Sequence, residues 1–262
     1  MTAQAQRRIP ISHSLRSMWN TCPRKVYWKY VAGIQRITPY SKAFYVGRAF
    51  HKAVEFRRVG GPTAEREALA LGIKTLSEEL GKAQIYGAQD VAQEQGKLNA
   101  YLRGYFLTFD NDFSGYQNKR FEAKLGLEQG EIGFADVLLT DKNGVVWVLD
   151  DKTTSDMSDD QTTALMLDEQ LMNYATLLIA NGENIGGFIY RETKKTQCKL
   201  NKKESMPEFW ERMLGIYLDP ARKSELYRET TVPLSGVMVK RIQAYNNIKR
   251  DLDSRISWQL GD

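Results

Sequence analysis

The chain has 262 residues, 42% of them hydrophobic, and a formal net charge of +5. That is enough apolar material for a substantial core in one domain, yet no run approaches the roughly 18 apolar residues of a membrane span, and the polar start Met1–Arg8 lacks the apolar stretch of a secretory signal. Two cysteines far apart in sequence, Cys22 and Cys198, read as reduced thiols, so the expected location is cytoplasmic.

In chain order, residues 12–31 and 42–58 read as helices with Ser12 and Ser41 as caps. The first acid is Glu55. Ten cations stand before it (Arg7, Arg8, Arg16, Arg24, Lys25, Lys29, Arg36, Lys42, Arg48 and Lys52), so the opening segment carries +10 and the remainder −5. Aromatic residues interleave with them, among them Trp19, Tyr27, Trp28, Tyr40 and Phe44. Such a segment suits a surface that contacts phosphates and stacks bases, with Arg24, Lys25 and Arg48 as candidate nucleic-acid contacts. Helices at 63–80 and 89–110 follow, then strands at 117–127, 131–140 and 145–151. A polar loop over 152–162 leads to a helix at 163–181 that stops at Asn181-Gly182. Strands at 185–192 and 195–201 and helices at 206–228 and 235–258 close the chain. A second basic cluster runs from Arg191 to Lys203. No linker separates domains and no Walker-type phosphate loop is present. The expected architecture is α/β and a single domain over 1–262: a mainly helical part at 1–115, a sheet core at 116–204 and a helical tail at 205–262.

The strands around 131–151 carry the chemistry. Asp141-Lys142-Asn143-Gly144 supplies turn residues for an antiparallel hairpin. Asp136 interrupts the first strand, while Asp150, Asp151 and Lys152 close the second. A carboxylate inside an apolar strand is costly unless a charge sits beside it, and two converging carboxylates repel unless a cation or a shared proton intervenes. Oxygen ligands of this kind suit Mg²⁺ or Mn²⁺. Lys152 lies two residues beyond Asp150, hence on the same side of the strand.

This pattern resembles the PD-(D/E)xK nuclease superfamily, whose signature is an Asp on one strand and acid-x-Lys on the next, matched by Asp136 and by Asp150-Asp151-Lys152. Its RecB-like branch is similar elsewhere too. Cys22-Pro23-Arg24-Lys25 lies in an opening helix, Gly47-Arg48-Ala49-Phe50-His51 in a second, and Gln170-Leu171-Met172-Asn173-Tyr174 in a helix after the hairpin. Four motifs in this order span residues 12–174, about two thirds of the chain. The resemblance implies a restriction-endonuclease-like mixed sheet flanked by helices. Asp136, Asp150 and His51 would be metal ligands, joined by the main-chain carbonyl of Asp151, with Glu122 a further candidate. An imidazole ligand favours Mn²⁺. Gln170 and Tyr174, four apart on one helix face, would face DNA. Lys152 would orient or deprotonate the attacking water, its pKa lowered by burial and opposed by the carboxylates. Relatives that hold an iron–sulfur cluster use four cysteines; two cannot, so no cluster is expected.

The implied activity is a metal-dependent DNA exonuclease of recombination and repair, resembling viral enzymes that work with a single-strand annealing or single-strand-binding protein. Three alternatives remain open on sequence: a structure-specific endonuclease of the same fold, a non-catalytic DNA-binding module, and an RNA-directed nuclease.

Overall fold

The structure, a computed structural model, describes residues 9–34, 38–109, 113–127, 130–157, 165–166 and 168–260. Arg7, Arg8 and Arg36 of the basic segment, and the whole of 158–164, lie outside the described residues. The chain begins with β1 (Ile11–Ser12) and α1 (His13–Thr21), where the Ser12 side chain accepts a hydrogen bond from the Leu15 amide at 3.2 Å. The helix expected over 12–31 is broken in two. Cys22 precedes Pro23 and sits extended at φ −167°, because the proline ring disfavours helical geometry in the residue before it. The chain then restarts as α2 (Pro23–Val26), which runs into a π-turn at Tyr27–Val31.

Three longer helices follow: α3 (Lys42–Gly60), α4 (Glu65–Ala83) and α5 (Ala88–Thr108). They pack with α7 (Met206–Leu218) around one apolar core that includes Phe50, Leu76, Leu98, Tyr101 and Phe209. Gly104 of α5 has no room for a side chain: a Cβ there would overlap the Tyr227 hydroxyl and lie 2.6 Å from the Tyr217 carbonyl. Gly104→Ala is therefore expected to lower stability by about 1–3 kcal/mol through overpacking, read as a shift in the urea unfolding midpoint.

The sheet comprises β2 (Asn118–Gly126), β3 (Glu131–Thr140), β4 (Val146–Thr154), β5 (Ile185–Lys194) and β6 (Tyr227–Pro233), with β1 added at one end. Its order is β1-β3-β4-β5-β6, and β2 pairs along β3 as well. β3 runs antiparallel to β2 and β4, β4 parallel to β5, and β5 antiparallel to β6. In the hairpin between β3 and β4, Asp141 Oδ1 accepts from the Asn143 and Val145 amides at 2.8 and 3.0 Å, and Gly144 takes φ 76°. One sheet face (Leu138, Val148, Phe188) packs on α6 (Glu169–Ala180) and α9 (Gly236–Leu260). The other presents Val137, Leu139, Leu149 and Ile189.

Two segments differ from the expectation. Residues 195–200 form no strand; the Thr196 amide donates to the Tyr217 hydroxyl at 2.8 Å and the Leu200 amide to Gln93 at 3.0 Å, so side chains of the helical bundle take the bonds a neighbouring strand would have taken. The helix expected to run to 228 ends at Leu218, and after the short α8 (Lys223–Leu226) the chain becomes strand β6. The β-branched run Thr230-Thr231-Val232 suits a strand, and Pro233 is tolerated because β6 lies at the sheet edge.

Candidate active site at a split in the sheet

Asp136 and Asp150 stand where β3 and β4 part. Their ladder pairs Thr140 with Val146 through Val137 with Leu149, and the next two residues would be Asp136 and Asp150. Instead of a main-chain partner, the Asp151 amide finds the Asp136 carboxylate, donating to Oδ2 at 2.8 Å. The irregularity extends to β2, whose pairing skips from Phe121 to Ala123 and leaves Glu122, opposite Asp136, at φ 44°. Positive φ in a non-glycine strand residue is strained backbone, held by its surroundings.

An open cleft of about 540 Å³ occupies the split, lined by α3 (Phe44, Arg48, His51, Glu55), the sheet (Glu122, Phe134, Asp136, Lys152) and α6 (Gln170, Tyr174). The α3 residues fall at i, i+4, i+7 and i+11, one face of the helix. His51 Nδ1 lies 3.4 Å from Asp136 Oδ2. Lys152 Nζ lies 2.8 Å from Asp150 Oδ2 and donates to Gln170 Oε1 at 3.4 Å. Gln170 Nε2 donates to the Tyr174 hydroxyl, which donates to the Phe134 carbonyl, both at 2.5 Å. Tyr174 is 3% exposed, so its hydroxyl is committed to holding β3 and Gln170.

Electrostatics separate the carboxylates. Burial, and behind it Asp136, raises the Asp150 carboxyl even though Lys152 pulls it down. Asp150 is 2% exposed and its Oδ1 has no hydrogen-bond partner among the described residues. One ammonium therefore leaves this carboxylate short of positive charge, which is the condition a divalent cation relieves. Desolvation, then the charges of Asp136 and Glu55, pushes Glu122 up to about 7. For Lys152, burial is the largest single influence and lowers its pKa, but Asp150 and Asp136 together outweigh it and raise it.

Asp151 faces the other way. Its carboxylate meets Arg58 Nη2 at 2.5 Å and accepts from the Tyr105 hydroxyl at 2.6 Å, and Arg58 also donates to that hydroxyl at 2.8 Å. All three groups are buried. Against the cost of burial, Arg58 and Tyr105 hold Asp151 below the usual carboxylate range. This clamp fixes α3, and with it His51 two turns earlier, to the strand bearing Asp150 and Lys152.

The acid-free opening segment does not stay acid-free in space. Arg16 is buried against Asp253 at 2.6 Å, Arg48 bridges Glu79 at 2.8 Å, and Lys42 meets Asp90 at 3.3 Å. Arg24 and Lys25 are exposed on α2 and do not line the cleft, whereas Arg48 does. Sequence reasoning missed Glu55, legible as His51 plus four on one helix face. It also missed Arg58, Tyr105 and Phe134, which no local pattern marks. Among the described residues no three His, Cys, Asp or Glu side chains already form a metal cage. The unpartnered Asp150 oxygen, Asp136, His51 and Glu122 nevertheless supply the oxygen and imidazole donors that Mg²⁺ or Mn²⁺ takes.

Residues 10–247 match the PD-(D/E)XK nuclease superfamily, and the chain belongs to that superfamily. Among solved structures, a putative exonuclease from Eubacterium rectale aligns over 97% of this chain and 83% of its own, with a TM-score of 0.52 and 13% identity. That likeness shows a shared fold. LHK-Exo, solved in complex with dAMP, is 11% identical and aligns over 84% of this chain and 96% of its own with a TM-score of 0.28, which carries no argument. No curated protein matches by sequence. Among the described residues no helix is long and apolar enough to cross a membrane.

Proposed function

We propose that the protein is a metal-dependent deoxyribonuclease that digests DNA from an end, in the service of recombination or repair. The observation that supports this best is the placement of Asp136, Asp150, Lys152 and His51 around one open split between β3 and β4. Asp136 and Asp150 are the ligands of a divalent ion, with His51, the Asp151 carbonyl and Glu122 as further donors. Such an ion supplies neutralisation of phosphate charge and acidification of a bound water. Lys152, held as an ammonium by Asp150 and by Gln170, positions the water and the scissile phosphate rather than removing a proton as a free amine. Gln170 contacts both Lys152 and the incoming strand, while Tyr174 supports Gln170 from behind. Arg48 at the cleft, with Arg24 and Lys25 outside it, contacts phosphates along the DNA.

The test is digestion of end-labelled linear duplex, its separated strand and a closed circle, with Mg²⁺ and with Mn²⁺. Shortening of linear DNA from an end with the circle intact supports the proposal, and the label reports polarity. A nicked or linearised circle favours the endonuclease reading. Loss of no DNA form with either ion, despite binding, rejects catalysis altogether. Asp136→Asn is expected to lower both turnover and Mn²⁺ affinity, because the Asp136 carboxylate also anchors the Asp151 amide; calorimetric Mn²⁺ titration beside the digestion reads the two effects separately.

A further inference from the structure

Two aromatic rings stand exposed in the cleft. Phe134 is 54% exposed and Phe44 is 42% exposed. Phe134 precedes Asp136 by two residues, so the strand places both side chains on the same side, and both line the cleft. Phe44 stands at the other wall, on the α3 face that bears His51, stacked on Tyr40 with centroids 4.3 Å apart and planes at 22°.

Full burial of a phenylalanine side chain is worth about 1.5–3 kcal/mol, and a strand interior is where a fold ordinarily takes it. Single exposed apolar residues need no explanation. Two rings on opposite walls of a cleft floored by carboxylates and an ammonium do. Neither ring can bind a phosphate, and neither can join the polar chemistry of the floor. Each offers a flat face to something apolar that arrives with the phosphate. Cations flank both: Lys124 lies directly across from Phe134 in the β2–β3 register, and the Arg48 guanidinium sits 5.9 Å from the Phe44 ring centroid. Ring beside cation, repeated on two walls, matches the alternation of base and phosphate along a single strand. Within a duplex the base faces are hidden in the stack, whereas an unpaired strand offers them along its length.

We propose that Phe134 and Phe44 are base-stacking platforms on either side of the scissile phosphate, so that the strand in the cleft is unpaired DNA, either a single strand or the frayed end of a duplex. The inference rests on the nuclease reading for the identity of the strand, but not for the stacking itself.

The probe is a fluorescently labelled single-stranded oligodeoxynucleotide, measured by anisotropy with Ca²⁺ in place of a catalytic ion. A second oligonucleotide of the same length carries abasic nucleotides at the end positions. Phe134→Ala is expected to weaken binding of the normal strand about 5- to 100-fold, with unchanged binding of the abasic strand and an unchanged melting temperature. Phe134→Trp restores it. Phe44→Ala acts in the same direction, and blunt duplex binds the wild type more weakly than the single strand. The proposal is overturned if wild type and both alanine variants bind normal and abasic strands alike, or if the alanine changes weaken both strands equally. Failure of the nuclease reading looks different: base-dependent binding persists in the wild type while no DNA is cut.

Discussion

Lys152→Ala is expected to reduce DNA cleavage by about 10²–10⁴-fold, the range of a positioned group that manages a proton or its charge in the transition state, while divalent-ion affinity holds or rises. The two effects have one cause. Lys152 Nζ lies 2.8 Å from Asp150 Oδ2 and is the cation already facing that buried carboxylate. Removing it takes away the group that orients the reacting phosphate and water, and it also removes a competitor for Asp150. Calorimetric Mn²⁺ titration of the wild type and the variant checks the second effect, and single-turnover cleavage checks the first. If Mn²⁺ affinity falls along with the rate, Lys152 is organising the metal site and the assignment of its role to the reacting water is wrong. Lys152→Arg keeps the charge but cannot sit as a compact ammonium between Asp150 and Gln170, so it is expected to recover only part of the rate.

Arg58→Met is expected to cost about 3–5 kcal/mol of stability, as breaking a buried ion pair from one side does. Arg58 and Asp151 are both buried, at 2.5 Å from each other, with the Tyr105 hydroxyl bonded to both. Without the guanidinium, Asp151 is a buried charge left with the Tyr105 phenol and the weaker influence of His51 and Arg191. The measurement is urea unfolding of the single variant beside a triple variant, Arg58→Met with Tyr105→Phe and Asp151→Leu. Replacing all three groups of the clamp by apolar ones leaves none of them stranded, and Arg191 nearby keeps its pair with Glu229, so the triple variant is expected to regain most of the stability. A triple variant as unstable as the single one would mean that the cost lies in packing at Arg58 rather than in the stranded charge. The clamp ties His51 to β4, so a triple variant that folds well yet binds Mn²⁺ more weakly would show that positioning of α3 is its contribution to the site.

The hairpin was legible because its chemistry is local. An apolar strand broken by Asp136, a turn with Asn143 and Gly144, and an acid-x-Lys ending constrain one another within twenty residues. His51 and Gln170 required motifs from separate helices, which the family pattern connects in order. Strand β6 was not legible, because a seven-residue edge segment with alternating polar residues, Tyr-Arg-Glu-Thr-Thr-Val-Pro, owes its form to pairing with β5. The break at Pro23 was legible in principle, since the restriction on Cys22 is a property of the dipeptide.

By itself, then, the sequence determined the class of fold, the order of the main elements and the residue types that meet at β3 and β4, all of which follow from short-range pattern and side-chain chemistry. Only the tertiary structure decided where β3 and β4 part, which cations stay at the surface and which acids neutralise the rest, and how closely Lys152 faces the buried Asp150. It also placed Glu55 and two exposed phenylalanines on the cleft walls. Those outcomes depend on distances between groups far apart in the chain. Coulomb energy and desolvation vary with separation and burial, and neither is written in the local order of residues.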